Sequence, residues 1–244
     1  MNRNRNSSLF LLILILVMMG PGEALISGGV RGLVNWILDM LLVLPGIIIG
    51  LSFHEFGHAK AAVLCGDNTP LYQGRVTLDP RAHIDMMGII SLIFIHFGWG
   101  KPVMVNPNNF KNKRRDGIIV GLAGITMNFL LAVLFGFLIK LIFVLRPQFF
   151  FTELGTSVYQ VLLYVVIINL SLMLFNLLPV PPLDGFGVIT DLFDLRRTNF
   201  YRFVYQNSMM ILLVVIILDI PDMLLNRPLN ALLDFIMVTL CGLW

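Results

Sequence analysis

Residues 44–64 read Leu-Pro-Gly-Ile-Ile-Ile-Gly-Leu-Ser-Phe-His-Glu-Phe-Gly-His-Ala-Lys-Ala-Ala-Val-Leu, an apolar run carrying two histidines and a glutamate in its last turns. On a helix, a step of four places His54 and His58 on one face, where two imidazoles can share a metal ion, and Glu55 falls beside them. Within hydrocarbon each ionisable side chain costs roughly 2.5–3.5 kcal/mol on insertion scales, so this cluster needs a compensating role. A bound zinc ion supplies one.

The same apolar character extends over the whole chain. Its 244 residues are 57% hydrophobic and 13% charged, and the mean hydropathy of +0.87 is too high for a water-soluble domain of this size. An integral membrane protein is expected, and several spans of about 20 residues leave no room for a sizeable soluble domain. The formal charge of +3 does not point to nucleic acid, because the basic residues sit in short loops flanking apolar segments. Such residues set topology. Cys65 and Cys241 form no metal-spacing motif.

A first span is expected over about 7–27, behind Arg3 and Arg5; the rival reading of its apolar run is a signal peptide. The second covers Leu33 to Leu64, interrupted by Asp39 and Pro45. Ile118–Ile139 and Leu154–Leu178 make a hairpin of two more spans, and two weaker ones fill about 203–244. Gln73–Leu78 has the alternation and β-branching of a short strand, which predicts a β-hairpin or small sheet. Met86–Gly100 is apolar but flanked by basic residues on both sides, which fits a re-entrant or interfacial segment. The expected fold is therefore all-α, with about six transmembrane helices in one membrane-embedded domain over 1–244. Lys101, Lys111, Lys113, Arg114 and Arg115 place their loop in the cytoplasm, and the His54–His58 motif ends up toward that side.

Two histidines do not hold a catalytic zinc; a third protein ligand and an open position are needed. Residues 176–185 read Asn-Leu-Leu-Pro-Val-Pro-Pro-Leu-Asp-Gly, closing an apolar span with three prolines and one carboxylate. Proline removes backbone donors and pushes its predecessor out of helical geometry, so the chain should unwind before Asp184 and can aim that side chain inward.

With these residues the chain resembles the site-2 proteases, zinc intramembrane metalloproteases, of the compact bacterial kind. The likeness covers most of residues 41–190. It includes His54-Glu55-Phe56-Gly57-His58, the run from Gly74 to Asp85, Phe97 to Val103, Ala123-Gly124 with Asn128, and Leu183-Asp184-Gly185. Ile125 and Met86 stand where the family commonly has proline.

The resemblance implies His54, His58 and Asp184 as zinc ligands, Glu55 as general base, and Asn128 and Asn176 as substrate-binding residues. It implies one zinc ion per chain and peptide-bond hydrolysis by metal-activated water. The substrates are then membrane proteins or membrane-bound peptides, and the location a bacterial cytoplasmic membrane. His83 reads as a structural residue of its loop. Two rivals remain: a membrane scaffold that keeps the metal for stability, which does not need Glu55, and a metal transporter, which needs further polar residues at mid-membrane.

Overall fold

The computed structural model describes residues 21–95 and 98–242. The expected first span falls mostly outside them. In chain order the helices are α1 (Glu23–Leu64), the single turns α2 (Thr69–Tyr72) and α3 (Pro80–His83), and α4 (Met86–Ile95). Then come α5 (Lys113–Leu145), α6 (Glu153–Leu177), α7 (Asp184–Leu192), α8 (Asn199–Gln206), α9 (Ser208–Ile217) and α10 (Ile220–Asp234), which runs on as a wider turn over Phe235–Leu240.

Among the described residues, four helices are long and apolar enough to cross a membrane: α1, α5, α6 and Ile220–Leu240. The expected span over 203–218 is instead a pair, α8 and α9, bent by 66° at their junction; counting the pair as one span gives five. At ten residues, α4 is about 15 Å long and too short to cross.

The ends of the long helices are written into the local sequence. At the start of α5, Asn112 Oδ1 accepts the Arg115 N–H at 3.0 Å while Asp116 Oδ2 accepts the Asn112 N–H at 2.8 Å, a reciprocal cap. At the start of α6, Thr152 Oγ1 accepts the Gly155 N–H at 3.0 Å. At the end of α1, Gly66 takes φ +108°, and the chain doubles back so that the Asp67 N–H reaches Ala62 O at 2.9 Å.

The three helices α1, α5 and α6 pack together. Ala132, Ile139, Val166 and Leu170 are fully buried between α5 and α6, with Ile236 and Met237 of the C-terminal segment beside them. Close approach between helices relies on small residues, as in membranes generally. A Cβ at Gly46 of α1 would meet Tyr164 O and Val165 Cα of α6 at 3.2 Å.

The expected strand at 73–78 is not formed: the segment is a series of turns and bends. Among the described residues, sheet-type pairing is limited to an isolated antiparallel bridge between Ile84 and Gly100. The reason is local. Gly74 turns the chain at φ +67°, and the Arg75 N–H is already given to Pro70 O at 2.9 Å, so alternation at 73–78 finds no neighbouring strand.

Candidate metal centre

Two elements carry the centre. His54 and His58, one turn apart on α1, bring their Nε2 atoms to 3.0 Å, with rings 4.6 Å apart and 80° to one another. The chain leaves helix α6 at Leu178, which is extended (φ −60°, ψ 137°), passes the three prolines, and re-enters helix at Asp184. Gly185 is required next to it, because a Cβ there would collide with the Leu177 carbonyl. This path delivers Asp184 Oδ2 to 3.1 Å from His54 Nε2 and 3.2 Å from His58 Nε2.

The outer ring nitrogens are engaged elsewhere. His58 Nδ1 donates to Val120 O at 2.7 Å, and His54 Nδ1 lies 2.7 Å from Asn128 Oδ1. In a neutral imidazole a protonated Nδ1 leaves Nε2 bare. Two lone pairs and a carboxylate oxygen therefore face one another, and that oxygen is buried without a hydrogen-bond donor. Three converging acceptors need a cation. Separations of 3.0–3.2 Å are close to the roughly 3.3 Å edge of a tetrahedron with arms of about 2.05 Å, so the residues fit zinc with one position open.

The roof of the centre is α5. A Cβ at Gly124 would sit 2.5 Å from His58 Nε2 and 2.7 Å from His54 Cε1, so no larger residue fits beneath the imidazoles. Glu55, half-buried beside the pair, accepts the Val103 N–H on Oε2 at 2.9 Å. Residues 101–103 are held in turn by Arg75, whose Nη2 donates to Lys101 O at 2.9 Å and to Pro102 O at 2.6 Å. The Lys101 N–H donates to His83 O at 2.7 Å.

The other residues singled out by sequence lie as follows. Asn128 is fully buried, and both ends of its amide are used within the protein: Oδ1 toward His54, and Nδ2 donating to Asn169 Oδ1 at 3.2 Å. Asn176 turns its Nδ2 back onto Leu172 O of its own helix at 2.9 Å. His83 is buried in the loop with Nε2 2.8 Å from Thr77 O, and it is not part of the metal-binding group. Sequence reading missed Asn169 and the cradle role of Gly124; an amide in mid-span was the signal for the first.

The sequence profile of peptidase family M50 matches residues 42–218. The chain belongs to peptidase family M50. Among this M50 protein's relatives are YwhC of Bacillus subtilis, 39% identical over 146 residues (60% of this chain, 66% of that protein), and Rip2 of Mycobacterium tuberculosis, 30% identical over 155 residues (61% and 56%). Rip2 of Mycolicibacterium smegmatis is 29% identical over 161 residues (64% and 59%). The names of all three designate candidate zinc metalloproteases. The matched region spans 56–66% of the relatives' lengths. No solved structure gives a significant match.

Proposed function

We propose that this M50 protein is an intramembrane zinc metalloendopeptidase in which His54, His58 and Asp184 hold the metal and Glu55 is the general base. One observation carries the reading: two imidazole Nε2 atoms and a carboxylate oxygen converge within 3.0–3.2 Å of one another, and a second carboxylate stands beside them. When bound, zinc supplies Lewis acidity and lowers the pKa of a coordinated water to about 7. Glu55 takes the proton from the attacking water onto its carboxylate and hands it to the leaving amine. The Val103 N–H keeps that carboxylate turned toward the segment 100–103. Asn128 orients His54, and Asn176 at the end of α6 is the residue assigned to substrate.

The substrate is a membrane-embedded segment, and its backbone must be unwound before a carbonyl is exposed to attack. An apolar cavity of about 430 Å³ lies one turn from His54, lined by Ile47, Leu51, Leu172, Phe175 and Leu225, and it can house side chains of such a segment. The core 41–190 and the C-terminal helices that follow it work as one membrane-embedded domain. The basic loop 101–115 supports a centre toward the cytoplasmic side of a bacterial cytoplasmic membrane.

The test is reconstitution with a panel of single-span substrates. Glu55→Gln keeps zinc and loses cleavage by at least a hundredfold, the lower range for general-base work, whereas Asp184→Asn loses both. Wild-type turnover in Glu55→Gln would defeat the assignment.

A further inference from the structure

Behind His54 stands a row of buried amides that reaches from the centre into α6. Asn169, fully buried on α6, donates from Nδ2 to Val165 O at 2.8 Å. A backbone carbonyl can only accept, so this contact fixes which end of the Asn169 amide is nitrogen. Its oxygen must then face Asn128 and accept from Nδ2 at 3.2 Å. That orientation leaves Asn128 Oδ1 facing His54 Nδ1 at 2.7 Å. An oxygen there requires the proton on Nδ1 and strips it from Nε2, the atom that points at Asp184. His58 reaches the same state in one step, through Val120 O.

We infer that Asn169 is a positioning residue for the metal centre: anchored on the Val165 carbonyl, it holds the Asn128 amide in the one orientation that leaves His54 Nε2 free to bind a metal. Without Asn169 the Asn128 amide can turn over, present its NH2 group to His54 Nδ1, and move the ring proton to Nε2, where it blocks the ligand position. The inference rests on the zinc-site reading above. It gives a role to Asn169, a residue outside the expected ligand and substrate set, and it explains why an amide on α6 is wholly buried beside α1 and α5.

The test is a double-mutant cycle read as zinc affinity, by chelator competition on purified protein. In the wild-type background Asn169→Leu lowers zinc affinity about tenfold, the lower range for groups that orient metal ligands. Asn128→Asp places a carboxylate against His54 Nδ1, and a carboxylate accepts whichever way it faces. In that background Asn169→Leu costs less than about twofold, because the ring proton no longer depends on residue 169. If Asn169 is only packing, its substitution costs the same in both backgrounds, and an additive cycle overturns the inference. Unchanged affinity in the single variant overturns it as well. Thermal unfolding of the metal-free proteins confirms that each is folded, and Asn169→Ala carries the same cycle if the leucine variant does not fold. Failure of the wild type to bind zinc refutes the metal-site reading itself; zinc binding with an additive cycle refutes only the role of Asn169.

Discussion

At the scale of single residues, the centre depends on groups that sit outside it. Asp67, fully buried after the end of α1, gathers four donors: the N–H and the hydroxyl of Thr69, the Asn106 N–H and Asn109 Nδ2, at 2.5–3.1 Å. Burial pushes its carboxyl upward, but the bonds from Thr69, Asn106 and Asn109 outweigh that and hold it below the ordinary carboxylate range. A depressed folded-state value stabilises the protein above about pH 4, the unfolded value, and the gain is lost as pH falls through the folded one. Asp67→Asn should therefore lower the unfolding midpoint at pH 7 and flatten its acid dependence. An unaltered acid limb in circular-dichroism melts would show that Asp67 does not tie this loop. His54, His58 and Glu55 were legible because ionisable side chains within an apolar helix are costly, and a four-residue step between imidazoles is the spacing at which a shared metal offsets that cost. Asn169 was not, since one amide in a span reads equally well as glue between helices.

At the scale of elements, α7 carries Asp184 and is seated on α5 through residues with no room to spare. A Cβ on Gly117 would run into the Asp191 carboxylate, and one on Gly121 would meet Val188 Cγ2 at 2.8 Å. Asp191 is itself paired with Arg196, at 2.5 and 2.9 Å. Gly117→Ala should push α7 off α5 and carry Asp184 with it. Zinc affinity then falls by about tenfold, as for other groups that orient ligands, and chelator competition measures it; full affinity would mean that Asp184 is set by the proline turn alone. That turn was legible from Asn176 to Gly185, because proline and glycine act locally. The strand expected at 73–78 was misread for the complementary reason: alternation describes a face, whereas a strand exists only if a neighbour takes its hydrogen bonds. Here Pro70 takes the Arg75 N–H instead.

At the scale of the whole molecule, the direction of the last long helix decides the topology. The start of α10 shares the cavity with Leu51 and Leu172, near the level of the centre. Its continuation reaches Gly136, where an added Cβ would lie 2.7 Å from Ile236 and 3.4 Å from Cys241 Sγ. Gly136 is about three turns beyond Gly124 along α5, so α10 runs the same way as α5. The described C-terminal end therefore lies on the face opposite the loop 101–115. Membrane-impermeant thiol reagents should label a cysteine placed at Gly242 and one placed at Asn108 from opposite sides, and labelling from one side would mean that α8 and α9 together cross the bilayer. The six crossings expected from the apolar runs counted 203–218 as one straight span, because hydropathy does not register the 66° bend between α8 and α9.

The split of the centre between α1 and the far end of α6 has a consequence for biosynthesis. A ribosome adds some 5–20 residues per second, so the two histidines enter the bilayer on the order of ten seconds before Asp184 emerges. In that interval α5 follows α1, and with it come Val120, Gly124 and Asn128, the residues that surround the imidazoles in the folded protein. On the proposed ligand set the newborn protein is a two-toothed trap, and an ion caught early is released easily until the third tooth arrives.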